Sequence, residues 1–328
     1  MYVKRNYSFW MTFNWSKGPF IWGLLFSALV VGLEYVFGIS LALPWQPISI
    51  VGIAVAFYLG FKNNSSYDRT WEARKIWGGI VNDSRTFGMA VMAFVSGEGK
   101  EEVQQELIYR HLAWLTALRF QLRLSRPWEH TEERMNDIYA PTICEKYNNK
   151  LEPWFEKLLP DSERTQVMEA ANTATQILKT QGVRLQELRN QNRFEDFRHM
   201  EFHQLMANFY AGQGKAERIK NFPFPRQYAS TAVWLTYVFC ALVPFGLVDV
   251  FGIQELSAMV ACSLCSGLII WIFFLMEKIG DYSENPFEGT YNDVPITTIS
   301  YGIATDLFEM LGQTNFMPKA EEKNGFVM

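Results

Sequence analysis

Cysteine is scarce in this chain. Four are spread unevenly over 328 residues, Cys144, Cys240, Cys262 and Cys265, which excludes a disulfide framework. Cys262 and Cys265 form a C-x-x-C, but inside an apolar run with no second pair or histidine nearby, so packing is expected there rather than redox or zinc chemistry. Net charge is also small, at −4, which removes bulk electrostatics as a basis for nucleic-acid binding. No Gly-rich phosphate loop follows a strand, and no serine or cysteine nucleophile sits with a base, so no enzyme site is visible. His199 and His203 in HMEFH have the spacing of a metal pair. The Glu falls at the wrong position for a zinc protease and no third ligand is evident, so a solvated helix face is expected, with no metal and no cofactor.

What the chain has in quantity is apolar surface. Hydrophobic residues make up 49% and aromatic residues 16%, which is unusual for a soluble protein. A mean hydropathy of −0.05 requires a large polar part as well. The N-terminal segment lacks a small-residue cleavage site after a short apolar core, so the first apolar run is expected to stay.

From Phe20 to Leu43 the only charged residue is Glu34, and a run of that length spans a bilayer with some tilt. Near its outer end Glu34 is as compatible with a solvated or paired role as with a functional one. Tyr228–Val248 and Leu256–Met276 are two further spans, joined by DVFGIQE, with Pro244 a tolerable kink in the first. Ile48–Phe61 is short: 14 residues reach about 21 Å against a hydrocarbon core of about 30 Å. Charge sorting nevertheless requires it. With four spans, Gly38–Pro47 and Asp249–Glu255 hold no Lys or Arg, while the opposite side holds Lys4, Arg5, Lys17, Arg69, Arg74, Lys75, Lys215, Arg218, Lys220, Arg226 and Lys278. The positive-inside rule then puts both termini and the long central segment in the cytoplasm, as for a multi-pass protein of the inner membrane.

The expected organisation is all-α. Residues 1–67 hold the first two membrane helices, the second over 48–67. A cytoplasmic helical region covers 68–227, spans three and four lie in 228–277, and a cytoplasmic segment covers 278–328. Within the central region Leu107–Arg123 repeats apolar residues at three and four, and Ser162–Gln191 reads as one helix capped by Asp161 or Ser162. Prolines at 127, 141, 153 and 160 punctuate the interval between them. An amphipathic helix is expected over Ile296–Leu311, followed by a frayed tail.

The second span carries two stripes. Ile53, Phe57 and Phe61 recur every four residues, and so do Gly52, Ala56 and Gly60. Small residues at that spacing let helices pack closely in a membrane. The bulky ridge alone reads first as lipid-facing or core. The span's shortness moves it towards the centre of a bundle or oligomer.

The stretch GFKNNSSYDRTWEARKIWGGIVNDSR, with ERIKNFPFPRQYA before span three and ENPFEGTYNDVPITTI after span four, closely resembles prokaryotic bestrophins. The resemblance runs from span one to about Leu311. It implies a homopentameric ion channel with four membrane helices per subunit and a large cytoplasmic helical region, whose partners are its own copies, permeant inorganic ions and the bilayer. Ile53, Phe57 and Phe61 match the family's hydrophobic neck around the fivefold axis, and a gapless count from FPFPRQYA puts its cytoplasmic aperture at Phe197. The polar residues from Lys62 to Ser66 then meet water in a vestibule.

Two departures matter. Where calcium-activated animal members carry an acidic cluster, this chain has Glu288, Gly289, Thr290, Tyr291, Asn292 and Asp293, too few carboxylates for a calcium cage. Arg69-Thr70-Trp71 replaces the family's Arg-Trp-Trp. The expected function is therefore a passive chloride-type anion channel without calcium gating. A sodium-selective channel of the same architecture and a non-conducting membrane scaffold or sensor are the alternatives. A secondary transporter is disfavoured, because no duplicated, interrupted span pair is evident.

Overall fold

The computed structural model describes residues 1–130, 152–290, 292–313, 322 and 325–327. Cys144, Pro141 and Tyr291 lie outside them. Among the described residues the chain forms ten helices: α1 (Phe9–Phe37), α2 (Trp45–Phe94), α3 (Lys100–Arg123), α4 (Glu152–Leu158), α5 (Asp161–Met168), α6 (Thr173–Asn190), α7 (Asp196–Asn221), α8 (Arg226–Phe251), α9 (Leu256–Ser283) and α10 (Ile296–Met310).

Four of these, α1, α2, α8 and α9, are long and apolar enough to cross a membrane. The first begins and ends earlier than its apolar run suggests. It starts at Phe9 and stops at Gly38, whose left-handed φ of 65° lets its N–H return to the Glu34 carbonyl. The Glu34 side chain is engaged by the backbone as well, since its Oε2 accepts from the N–H of Leu41 at 2.9 Å and satisfies the turn that follows the helix. The two basic-free connections meet at one end of the bundle, where Trp45 N donates to Asp249 Oδ2 at 3.4 Å.

The second span is not a short helix. α2 runs 50 residues without interruption, about 75 Å at 1.5 Å per residue. It crosses the expected boundary at residue 67 and threads two separate apolar cores. Ile48, Val55 and Leu59 pack with α8 and α9 in the first, alongside Val30 and Val31 of α1 and Phe239, Val243 and Ile270. Ala73, Trp77, Ile80, Phe87 and Val91 pack with α3, α6, α7 and α10 in the second. The polar stretch between is the interval between cores.

Of three local expectations, two change. Ser162–Gln191 is two helices, because Asn172 starts a new one: its side chain accepts from Thr175 N at 2.9 Å, and a cap ends the competition for that N–H. The amphipathic C-terminal helix is present over Ile296–Met310. Most of the tail lies outside the described residues, but its end is not loose. Phe326 is buried and bridges antiparallel to Tyr2, with Val3 N donating to the Gly325 carbonyl at 2.8 Å.

Cys240 and Cys262 are buried, and the described cysteines are free thiols, so the C-x-x-C packs in the bundle. His199 stacks on Phe194 and His203 lies exposed. Among the described residues no group of three or more His, Cys, Asp or Glu is arranged to hold a metal.

Candidate functional site

α2 shows one buried and one open face. Ile48, Gly52, Val55, Leu59, Lys62, Ser66 and Ala73 are all buried, at alternating steps of four and three until the last interval. That spacing keeps a single stripe turned towards its neighbours. The opposite stripe stays open: Ile53, Phe57 and Phe61 are 70%, 68% and 59% exposed in the subunit. Phe57 and Phe61 pack edge to face, with ring centroids 4.6 Å apart and an interplanar angle of 82°. Two perpendicular rings cannot both lie flat against a common axis.

The small-residue stripe divides. A Cβ on Gly52 would lie 2.6 Å from the Phe239 ring of α8, so only glycine permits this approach. Around Gly60 there is open space, and Ala56 is half-buried. Close packing therefore rests on Gly52 among the three.

The polar stretch after Phe61 is where the water-filled vestibule fails in part. Lys62 and Ser66 are not in water. Lys62 is 3% exposed, and its Nζ is 2.8 Å from Glu277 Oε1 on α9. One turn on, Ser66 Oγ donates to the Gly280 carbonyl at 2.9 Å, and Thr70 Oγ1 to the Ser283 carbonyl at 3.0 Å. Arg69 Nε donates to the Glu284 carbonyl, while its Nη2 reaches the carbonyls of Ile219 and Phe222 at the end of α7. The abrupt polarity of KNNSSYDRT is thus a zipper onto α9, made of side chains at positions 62, 66, 69 and 70 on the buried stripe. Asn64, Ser65, Tyr67 and Asp68 are the exposed ones. The signal was present in the spacing, since 62 and 66 continue the series 48, 52, 55 and 59.

Phe197 opens α7 and is 83% exposed, beside exposed Met200. α7 packs along α2, so this ring and the α2 stripe are carried by one helix pair.

The loop after α9 holds a buried charge cluster. Arg123 of α3 pairs with Asp293 at 2.9 Å. Asp293 also accepts from Gly289 N at 2.5 Å and from Thr290 Oγ1 at 2.8 Å. Glu288 accepts from His130 at both its backbone N–H, 2.6 Å, and its ring Nδ1, 2.9 Å, while His130 Nε2 lies 3.3 Å from Asp281. Lys220 pairs with Glu129 beside them. The two carboxylates of the loop are already satisfied by protein cations and donors.

Burial by itself would lower the His130 pKa, but hydrogen bonding to Asp281 and Glu288 outweighs it and raises the group to about 9. A folded-state pKa above the ordinary 6.5 means that the contact stabilises fully below pH 6.5 and is lost as pH rises through about 9. The difference in thermal midpoint between wild type and His130→Asn is accordingly expected to be constant up to pH 6.5. Thermal unfolding followed across pH 6 to 10 should show it shrinking progressively between pH 6.5 and about 9, where little of it is left. A difference that grows with pH would refute the assignment.

A family model described as bacterial/fungal bestrophin protein matches residues 18–309. The chain belongs to the bestrophin family. A relative from Mesorhizobium japonicum, named as a voltage-dependent anion channel-forming protein, is 27% identical over 297 residues, covering 90% of this chain and 85% of its own. A similarly named protein of Escherichia coli K12 is 25% identical over 314 residues, covering 90% and 91%. A crystal structure of a bacterial bestrophin homolog from Klebsiella pneumoniae aligns with a TM-score of 0.74 at 23% identity, covering 90% of this chain and 98% of that one. The last likeness speaks for the fold. The protein is an all-α, membrane-spanning bestrophin.

Proposed function

We propose that this bestrophin is a passive, anion-conducting channel: a homopentamer in the inner membrane, both termini cytoplasmic, with Ile53, Phe57 and Phe61 of five copies forming a hydrophobic neck. The observation that carries the reading is the open stripe itself. Three large apolar side chains stay exposed on the one membrane helix whose other face is anchored to α8 and α9 by packing and to α9 by ionic contacts. A closed ring of such helices buries this exposed apolar ridge around an axis. The neck has no charge, so it acts through width and dewetting. With perpendicular phenyl planes, at least one ring of each pair turns partly edge-on to that axis, and ring edges are electropositive, which favours anions. The relatives named as anion channel-forming proteins support the same reading. Phe197 supplies a second constriction at the cytoplasmic end.

One observation favours the cation alternative. Asp68 is exposed on α2 seven residues beyond Phe61, hence on the same stripe, and five copies would form an acidic ring below the neck. Purified protein in planar bilayers under a sodium chloride gradient decides. A reversal potential that follows chloride supports the proposal, and one that follows sodium and is moved by Asp68→Asn establishes the alternative. Absence of single-channel current, unchanged by Phe57→Ala, returns the non-conducting scaffold.

Calcium gating has no place in this reading. Glu288 and Asp293, the loop carboxylates, are already held by His130 and Arg123. Macroscopic current in reconstituted vesicles is expected to be the same in chelator and in millimolar calcium. A reversible change of severalfold on adding calcium would overturn this.

A further inference from the structure

We propose that the Lys62–Glu277 ion pair is the rotational lock of the pore helix, a positioning pair that decides which face of α2 meets the axis. The inference rests on the proposed neck and names what holds it in place.

A long helix in an apolar bundle has one poorly specified coordinate, its rotation about its own axis. Apolar contacts are non-directional, and on α2 the membrane half of the buried stripe is made of Ile48, Gly52, Val55 and Leu59, while Ile50 and Ile53 on the open face are as apolar as those it buries. Turned by one residue, about 100°, the helix would exchange one apolar face for another, opposed among its apolar contacts chiefly by the close approach of Gly52 to the Phe239 ring. Lys62 removes that degeneracy. Its ammonium has a half-buried carboxylate at 2.8 Å in the observed orientation, and the side chains of the pair are 1% and 12% exposed. Any other rotation leaves a charge unpaired at the edge of the membrane, which costs several kcal/mol where apolar mispacking costs about one to three. Buried polar groups are best attested in this use, as devices that select one register among similar apolar ones.

Position makes the lock local to the neck. Lys62 directly follows Phe61, one residue round the helix from the last bulky side chain of the stripe. The contact is held close by Gly280, where a Cβ would lie 2.5 Å from Asn63 Oδ1 and 3.3 Å from Lys62 Cγ. Ser66 and Thr70 add directional bonds to α9 one and two turns further on. Glu277 also lines a cavity of about 580 Å³ between α1, α8 and α9, with Trp22, Tyr237 and Lys278 on its wall. The carboxylate is thus fixed to α9 without being sealed in the core.

The test measures rotation independently of ion flow. In a background without native cysteines, a nitroxide is placed at position 61 through Phe61→Cys, and distances between subunits are measured in the reconstituted pentamer. A side-chain tip about 5–6 Å from a helix axis moves about 8 Å when the helix turns by one residue. Lys62→Met and Glu277→Gln are each expected to shift or broaden the distance distribution by several ångströms. Lys62→Arg and the exchange Lys62→Glu with Glu277→Lys should restore a narrow one. An unchanged distribution in both single variants overturns the lock. A change that neither Lys62→Arg nor the exchange restores assigns the effect to packing and overturns it as well. If Lys62→Met fails to assemble, Glu277→Gln, which keeps the shape of its side chain, carries the comparison. Failure of the neck reading looks different: the parent protein labelled at position 61 would then give no short inter-subunit distance at all.

Discussion

Replacing Phe57 by alanine is expected to raise the current through single reconstituted channels about tenfold at fixed voltage, the change produced by taking about 1.4 kcal/mol from a crossing barrier. The side chain stands in the middle of the stripe, and in the proposed pentamer the substitution acts on every subunit of the neck. Truncation both widens the constriction and removes the apolar surface that keeps water out of it. Phe61→Ala should follow closely, because it also breaks the edge-to-face pair, whereas Ile53→Ala removes less surface and should have a smaller effect. The folded subunit should tolerate all three. Phe57 is 68% exposed, so its loss opens no cavity in either core, and exposed substitutions usually stay within about 0.5 kcal/mol. Planar-bilayer recordings, with size-exclusion profiles confirming assembly, check the prediction. Unaltered current from an intact pentamer would remove Phe57 from the conduction path.

Arg123→Met should have the largest effect on stability. Its guanidinium and the Asp293 carboxylate are 0% and 2% exposed, and they tie α3 to the loop that leads into α10. Removing one partner of a buried pair costs about 3–5 kcal/mol, because the other charge is left without compensation. Gly289 N–H and Thr290 Oγ1 still serve Asp293, which places the loss at the lower end. A drop in thermal midpoint of about 4 °C follows from about 3 kcal/mol in a chain of 328 residues. Arg123→Met combined with Asp293→Asn should regain a large part, since an amide needs no countercharge. Thermal unfolding of the two single variants and the double variant measures this directly, and equal midpoints for the single variants and wild type would show that the pair contributes nothing.

The two predictions draw on parts of the molecule that were unequally legible. Hydropathy and the distribution of Lys and Arg marked the four membrane helices, because bilayer thickness and surface charge act on composition alone. The ridge of Ile53, Phe57 and Phe61 stood out for the same reason, as a period in the chain. The C-terminal end of α1 and the break at Asn172 escaped the hydropathy pattern, since single capping hydrogen bonds decide them. The continuous 50-residue α2 was hidden by the polar stretch in its middle. Polarity there suggested water. The cause was a partner 215 residues away in sequence.

By itself, then, the sequence determined what each face of a helix would seek: lipid, core, water or an open axis. Burial free energy is a property of the residues, and helical periodicity distributes it over faces before any fold exists. What only the tertiary structure decided is which charges are paired. Lys62 with Glu277, Arg123 with Asp293 and His130 with Glu288 join residues distant in the chain, and a lysine that meets water and one that meets a buried carboxylate are the same letter. The difference between them is a matter of a few ångströms, set by how the helices pack.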